Sequence, residues 1–79
     1  MKNVSIYTTP ACVYCKMAKE FFSKHNITYT EYNVVTDAKH RDEMIERSGQ
    51  MGVPVIDIDG NVVVGFNEIR LRKLLGIDQ

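Results

Sequence analysis

The spacing of hydrophobic residues along the chain changes several times, and each change marks a new element. Apolar residues with period two predict strands, whereas apolar residues three and four positions apart predict amphipathic helices. The resulting order is strand, helix, strand, helix, strand, strand, helix. Strands are predicted at residues 2–8, 27–35, 53–58 and 61–64, and helices at 13–24, from 36 or 37 to about 48, and between 67 and 76.

The first helix has the clearest pattern. Cys15, Ala18 and Phe22 recur at i, i+3 and i+7, and Phe21 widens this apolar stripe. Lysines and a glutamate occupy the opposite side. This arrangement is typical of a surface helix with one buried face.

The other two helices are recognised by the residues at their ends. Thr36 or Asp37 can cap the second helix, and Gly49 is suited to end it. Asn67 and Gly76 serve the same purposes for the last helix. The apolar residues of this last helix are Ile69, Leu71, Leu74 and Leu75.

The strands are expected to form one mixed sheet. Asp59-Gly60 is a two-residue hairpin signal, which makes the last two strands antiparallel. The leading strand-helix-strand segment predicts a right-handed crossover and a parallel pair. We therefore expect an α/β fold of order βαβαββα, with four strands and three helices covering both faces of the sheet. Residues 1–79 are interpreted as a single domain, because two domains of this size would each lack a core.

Composition and charge exclude several classes of function. Ten Lys and Arg balance ten Asp and Glu, and 44% of the residues are hydrophobic. A net charge of zero argues against binding to nucleic acid or to a membrane surface. No apolar run is long enough for a signal peptide or a membrane span. These observations favour a cytoplasmic protein, which we expect to be a monomer.

The chemistry is concentrated in Cys12-Val13-Tyr14-Cys15. A disulfide here would close almost no loop and would constrain the unfolded chain little, so a structural bridge is not its purpose. The predicted helix start places Cys12 at the N-cap, where unpaired backbone N–H groups and the helix dipole stabilise a thiolate. Cys15 lies one turn further in and should be buried and keep its proton longer. We therefore assign Cys12 as the nucleophile and Cys15 as the resolving thiol.

Two simpler explanations of the cysteine pair remain. A zinc site needs four ligands, and the further candidates, His25 and His40, fall on different elements, so no metal site is expected. The other explanation is that two core cysteines lie close together by chance. The position of the pair between a strand and a helix start argues against it.

Val53-Pro54 opens the third predicted strand. An X-Pro bond in this place is compatible with a cis peptide, which would present the backbone of Val53 to an extended, peptide-like ligand. The alternative is an ordinary trans proline that starts a strand.

Three segments share their order and spacing with one known family: Ile6 to Cys15, Gly52-Val53-Pro54 and Gly65-Phe66-Asn67-Glu68. With them the chain resembles the glutaredoxins of the thioredoxin-fold superfamily over essentially its whole length. The resemblance implies a thioredoxin-like fold with Pro54 in cis. It also implies a thiol-disulfide oxidoreductase that reduces protein disulfides and glutathione mixed disulfides.

A glutathione site is implied by the same resemblance. It would consist of Cys12, Tyr14, Arg41, Val53, Pro54, Gly65, Phe66 and Asn67. The start of the last helix would receive the γ-glutamyl carboxylate, as a helix N-terminus favours an anion. Arg41 would hold the glycine carboxylate, although it could equally be an exposed helix arginine. Glutathione would act as a cosubstrate, with no tightly bound cofactor.

Four positions depart from the usual glutaredoxin pattern. Thr9 replaces a basic residue, Val13 replaces proline, Gly52 replaces threonine before the Val-Pro pair, and Val64 replaces the first residue of a Gly-Gly pair. Loss of the basic residue removes a contact to a glutathione carboxylate, so we expect weaker glutathione binding.

Two alternative functions follow from related proteins. The Cys-Val-x-Cys pattern and the Gly-Phe turn also resemble redoxins that take electrons from thioredoxin reductase and serve ribonucleotide reductase. Some glutaredoxins instead hold a [2Fe-2S] cluster between two protomers through the nucleophile, here Cys12, and glutathione. The bulky Val13-Tyr14 pair leaves such a cluster less room than a small residue would.

Overall fold

The computed structural model describes residues 3–77. Within that range the elements follow the predicted order. They are β1 Val4–Thr8, α1 Val13–Lys24, β2 Thr30–Asn33, α2 Ala38–Ser48, β3 Val55–Ile58, β4 Asn61–Val64 and α3 Glu68–Leu75. The predicted start of the first strand at Lys2 lies outside the described residues.

The sheet is mixed, with the strand order β2-β1-β3-β4. β1 and β2 are parallel, and β3 is antiparallel to both of its neighbours. Tyr7, Tyr32, Val55 and Val64 are neighbours in register across the four strands. β1, β2 and β4 all end on the side of the sheet where β3 begins. The segments that carry the cysteine pair, the Val53-Pro54 turn and the start of α3 therefore meet there, and we call this side the active-site end.

Hydrophobic clusters on the two faces of the sheet hold the helices in place. One cluster joins β1, β3 and β4 to α1 and α3, and it contains Val4, Ile6, Ala18, Phe21, Phe22, Ile56, Ile58, Val63 and Leu71. The other lies beneath α2 and contains Tyr7, Val34, Met44 and Val55. Coverage of both faces by three helices is thus confirmed, and α1 is anchored by its predicted stripe.

The second strand is much shorter than predicted. Only Thr30–Asn33 pairs with β1. Before it, the Ile27 N–H donates to the Phe22 carbonyl at 2.8 Å, which keeps this segment in the turn that ends α1. After it, the Asn33 side chain accepts from the Val35 N–H at 2.9 Å and turns the chain away. Local hydrogen bonds therefore override the high strand propensity at both ends.

Smaller differences concern three other positions. The third strand begins at Val55 instead of Val53. Asp37, and not Thr36, caps α2, with its side chain accepting from the His40 N–H at 3.1 Å. Ile69 is 71% exposed, because α3 turns its Leu71 side towards the core.

Candidate active site

Cys12 occupies the N-cap of α1, as predicted. Its backbone is extended, and its Sγ accepts a hydrogen bond from the Cys15 N–H at 3.1 Å. The Cys12 N–H donates to the Thr9 carbonyl at 3.3 Å, which fixes the turn between β1 and the helix. The sulfur is therefore aimed at the backbone donors of the first turn, where negative charge is stabilised.

The first turn of α1 leaves this positive end of the helix without a neutralising carboxylate. Its residues run from Val13 to Lys16, and none is acidic. Val13 and Tyr14 are exposed, so Cys12 is bordered by apolar side chains on the solvent side. A disulfide substrate can approach the partly exposed sulfur from this direction.

Cys15 has a different environment, one turn further along α1. It is only 1% exposed and belongs to the apolar stripe with Ala18 and Phe22. Burial, together with the hydrogen bond to Cys12, raises the pKa of the Cys15 thiol to about 12. Cys15 therefore keeps its proton at neutral pH, as expected from its position one turn into the helix.

The peptide bond between Val53 and Pro54 is cis, as the resemblance implied. Pro54 is fully buried, and its carbonyl accepts from the Gly65 N–H at 2.8 Å. Gly65 has a φ of +81°, a conformation that glycine adopts without steric cost. This bond ties the proline turn to the turn that leads into α3.

Phe66 and Asn67 set the direction of α3. The Phe66 ring lies edge-on to Phe21 of α1, with ring centroids 5.9 Å apart. Asn67 is the N-cap of α3, and its side chain accepts from the Arg70 N–H at 3.1 Å. The N-terminus of a second helix therefore also lies at the active-site end.

Arg41 lies in the first turn of α2, on the opposite face of the sheet from α1 and α3. Its N–H donates to the Asp37 carbonyl at 3.0 Å, so it belongs to the capped start of the helix. α2 follows β2 and begins at the active-site end. All predicted site residues thus lie on segments that meet at this end, with Arg41 supplied from the α2 face.

Several exposed apolar side chains at the active-site end form what we call the apolar rim: Val13, Tyr14, Met51 and Val64. Met51 precedes the proline turn, and Val64 ends β4 beside Val55. The sequence pattern does not single out Met51, and it marks Val64 only as a departure from the usual Gly-Gly pair. The pairing of β4 with β3 places Val64 at the active-site end.

An ion pair between Lys19 and Glu31 lies between α1 and β2, and neither residue stands out in the sequence as a partner of the other. The Lys19 Nζ is 3.0 Å from the Glu31 Oε2, which also accepts from the Thr8 hydroxyl at 2.7 Å. The sequence pattern places Lys19 with the other lysines on the outer side of α1, whereas its intermediate exposure puts it at the edge of the buried stripe, one turn after Cys15.

Two other kinds of site have no support in residues 3–77. No three His, Cys, Asp or Glu side chains among them are grouped so as to hold a metal ion. None of the helices described there has the length and apolar character to cross a membrane.

Comparison with known proteins agrees with this geometry. A family model described as Glutaredoxin matches residues 4–63. The chain belongs to the glutaredoxin family. Like other members of the family, it is a thiol-disulfide oxidoreductase.

Individual glutaredoxin relatives cover most of the chain. A glutaredoxin-like 8.6 kDa protein from the rubredoxin operon of Clostridium pasteurianum is 49% identical over 91% of this chain and 96% of its own. Glutaredoxin 3 of Escherichia coli K12 is 39% identical over 87% and 83%. The glutaredoxin-like protein NrdH of Lactococcus lactis is 34% identical over 90% and 97%.

Solved structures support the same fold. The crystal structure of a mutant thioredoxin-like protein superposes with a TM-score of 0.91 at 36% identity, and the match covers 99% of this chain and 100% of the other. The glutaredoxin fold of this chain is therefore thioredoxin-like, as expected.

Proposed function

We propose that this protein is a glutathione-dependent thiol-disulfide oxidoreductase that reduces protein disulfides and glutathione mixed disulfides. The observation that carries the proposal is the inequality of the two thiols. Cys12 is partly exposed at a helix N-terminus, whereas Cys15 is buried with a raised pKa. This inequality divides the reaction between an attacking thiol and a resolving thiol.

The reaction begins at Cys12. Its thiolate attacks the glutathione sulfur of a mixed disulfide, a Cys12-glutathione disulfide forms, and the substrate leaves as a thiolate that takes up a proton. A second glutathione thiolate then releases Cys12 and gives glutathione disulfide.

With a protein disulfide, the Cys12 thiolate attacks one substrate sulfur, forms a mixed disulfide and releases the other sulfur as a thiolate. Cys15 then loses its proton and attacks the Cys12 sulfur, which releases the second substrate thiolate and gives a Cys12-Cys15 disulfide. Two glutathione thiolates reduce this disulfide and leave as glutathione disulfide.

A glutathione site at the active-site end is supported by the two helix starts and the proline turn. The N-terminus of α3, at Asn67, is suited to the γ-glutamyl carboxylate. Glu68 follows in the first turn, but Arg72 holds it in an ion pair at 2.8 Å and so limits its repulsion of an anion. The backbone of Val53 would pair with the peptide part of glutathione.

The remaining residues of the proposed site surround this peptide. Arg41 would hold the glycine carboxylate from the α2 side, while Pro54, Gly65 and Phe66 shape the turn that faces the ligand. Tyr14 is 60% exposed and would flank it. Glutathione is a cosubstrate in this account.

The apolar rim and Thr9 favour a second candidate function. A protein specialised for glutathione, which is an anion, gains from basic groups around the nucleophile, but Thr9 is neutral and the rim is apolar. Such a surface suits a protein partner, and the likeness to NrdH points the same way. In this candidate, thioredoxin reductase recharges the protein, which then reduces ribonucleotide reductase.

A pair of coupled assays distinguishes these two functions. NADPH oxidation is followed with a small disulfide as substrate, once with glutathione and glutathione reductase and once with thioredoxin reductase. We expect turnover in the glutathione assay and little in the other. Turnover that requires thioredoxin reductase and is indifferent to glutathione would establish the second candidate and reject the first.

A further inference from the structure

The ion pair beside Cys15 is held from three elements. Lys19 of α1 lies 3.0 Å from Glu31 of β2. The Thr8 hydroxyl of β1 donates to the same carboxylate oxygen at 2.7 Å, and Thr8 is only 2% exposed. The buried Thr8 hydroxyl therefore holds the Glu31 carboxylate in place, and this carboxylate holds the Lys19 ammonium group. Exposed pairs seldom keep such a fixed geometry.

Lys19 is placed so that its charge acts on Cys15. The two residues are four apart on α1, so Lys19 lies one turn beyond Cys15, at the edge of the buried face. Burial raises the pKa of Cys15, while the positive charge of Lys19 opposes that rise. The Glu31 carboxylate, in turn, raises the pKa of Lys19 and keeps it charged.

Other groups also act on the Cys15 thiol. Cys12 hydrogen-bonds to Cys15, but in the second half of the reaction its sulfur is bound in the mixed disulfide. The Thr9 backbone lowers the pKa of Cys15 more than Lys19 does, but it is a main-chain group that a side-chain substitution does not remove. The groove between α1 and β2 is also lined by Lys16, Glu20, Lys24 and Tyr29. Among the charged side chains that line this groove, Lys19 lies four residues after Cys15 and is paired with Glu31.

We propose that Lys19, held by Glu31 and Thr8, is a positioning residue for the second half of the reaction. Its ammonium group favours the thiolate form of Cys15 and thereby raises the rate at which Cys15 attacks the mixed disulfide on Cys12. This inference rests on the thiol assignment of the proposed function.

Reaction of the reduced protein with dithiobis(nitrobenzoate) separates the two steps. Cys12 first attacks the reagent and releases one nitrothiobenzoate, leaving the other bound to Cys12 as a mixed disulfide. Cys15 then loses its proton, attacks the Cys12 sulfur and releases the second nitrothiobenzoate. Both releases are followed by absorbance in a stopped-flow instrument, so the second phase reports on Cys15 without any glutathione.

Lys19→Gln is expected to slow the second phase about 3- to 10-fold and to leave the first phase close to that of the wild type. The effect is moderate because the Lys19 side chain is 34% exposed to screening solvent. The slowing should persist from pH 6 to pH 9 and shrink with added salt. Lys19→Arg should restore the rate, and Lys24→Gln, which removes one exposed charge from the same helix, should behave as wild type.

The outcomes separate the inference from the function on which it rests. A second phase in Lys19→Gln as fast as in Lys24→Gln would overturn the role of Lys19. So would a Lys19→Arg variant as slow as Lys19→Gln, because the charge would then not be what matters. A wild-type protein that releases no second equivalent would instead refute the assignment of Cys15 as the resolving thiol.

Discussion

Cys12→Ser is expected to abolish all disulfide reduction, with a loss of at least about 1,000-fold, because a serine hydroxyl at the same N-cap is not ionised at neutral pH. Cys15→Ser should retain reduction of glutathione mixed disulfides, since glutathione itself can release Cys12. It should lose reduction of protein disulfides, which depends on attack by the second thiol. Both activities are measured with purified variants, using a glutathionylated peptide and a protein disulfide as substrates.

The fold of the two variants serves as the control in this comparison. Serine can replace the capping role of Cys12, since it is a preferred N-cap residue, so circular dichroism spectra should match the wild type. Equal loss of both activities in the two variants would contradict the assignment of different roles to the cysteines. So would a Cys12→Ser variant that keeps reducing the glutathionylated peptide.

Phe22→Ala is expected to cause the largest loss of stability. The Phe22 ring is fully buried and packs against Phe21 and Tyr29, with centroids 5.9 and 5.2 Å away. Truncation of such a ring costs about 3–5 kcal/mol. A domain of this length has roughly 4–12 kcal/mol of stability in total. We therefore expect Tm to fall by about 15–30 °C in thermal unfolding followed by circular dichroism.

Glu20→Ala provides the matched control for this loss. Glu20 lies two residues away on the exposed side of α1, so its replacement should leave Tm within about 3 °C of the wild type. A Tm of Phe22→Ala close to that of Glu20→Ala would show that α1 is not held by this stripe. The positioning of Cys12 by packing of α1 would then need another explanation.

Features determined by neighbouring residues could be predicted from the sequence. The caps at Cys12, Asp37 and Asn67 each accept from an N–H three residues later, so the chain needs no distant partner to form them. The stripe of α1 depends only on helical spacing. The burial of Cys15 follows from that spacing, and so does its lower exposure relative to Cys12.

Features that depend on distant segments could not be predicted in the same way. β2 is shorter than its composition suggests, because hydrogen bonds at Ile27 and Asn33 turn the chain at both ends. Lys19 meets Glu31 only through the packing of α1 beside an edge strand. The cis bond at Pro54 followed from the family resemblance, since the residues around it are equally compatible with a trans bond.

The most direct test of the account is the order in which the two thiols react with iodoacetamide. Reduced protein is treated at pH 7 for short times, and mass spectrometry of its peptides measures the alkylation of each cysteine. Cys12 should be modified while Cys15 remains almost entirely unmodified, because Cys15 is 1% exposed and has a pKa of about 12. Equal rates at the two positions, or faster modification of Cys15, would contradict the central claim that Cys12 attacks and Cys15 resolves.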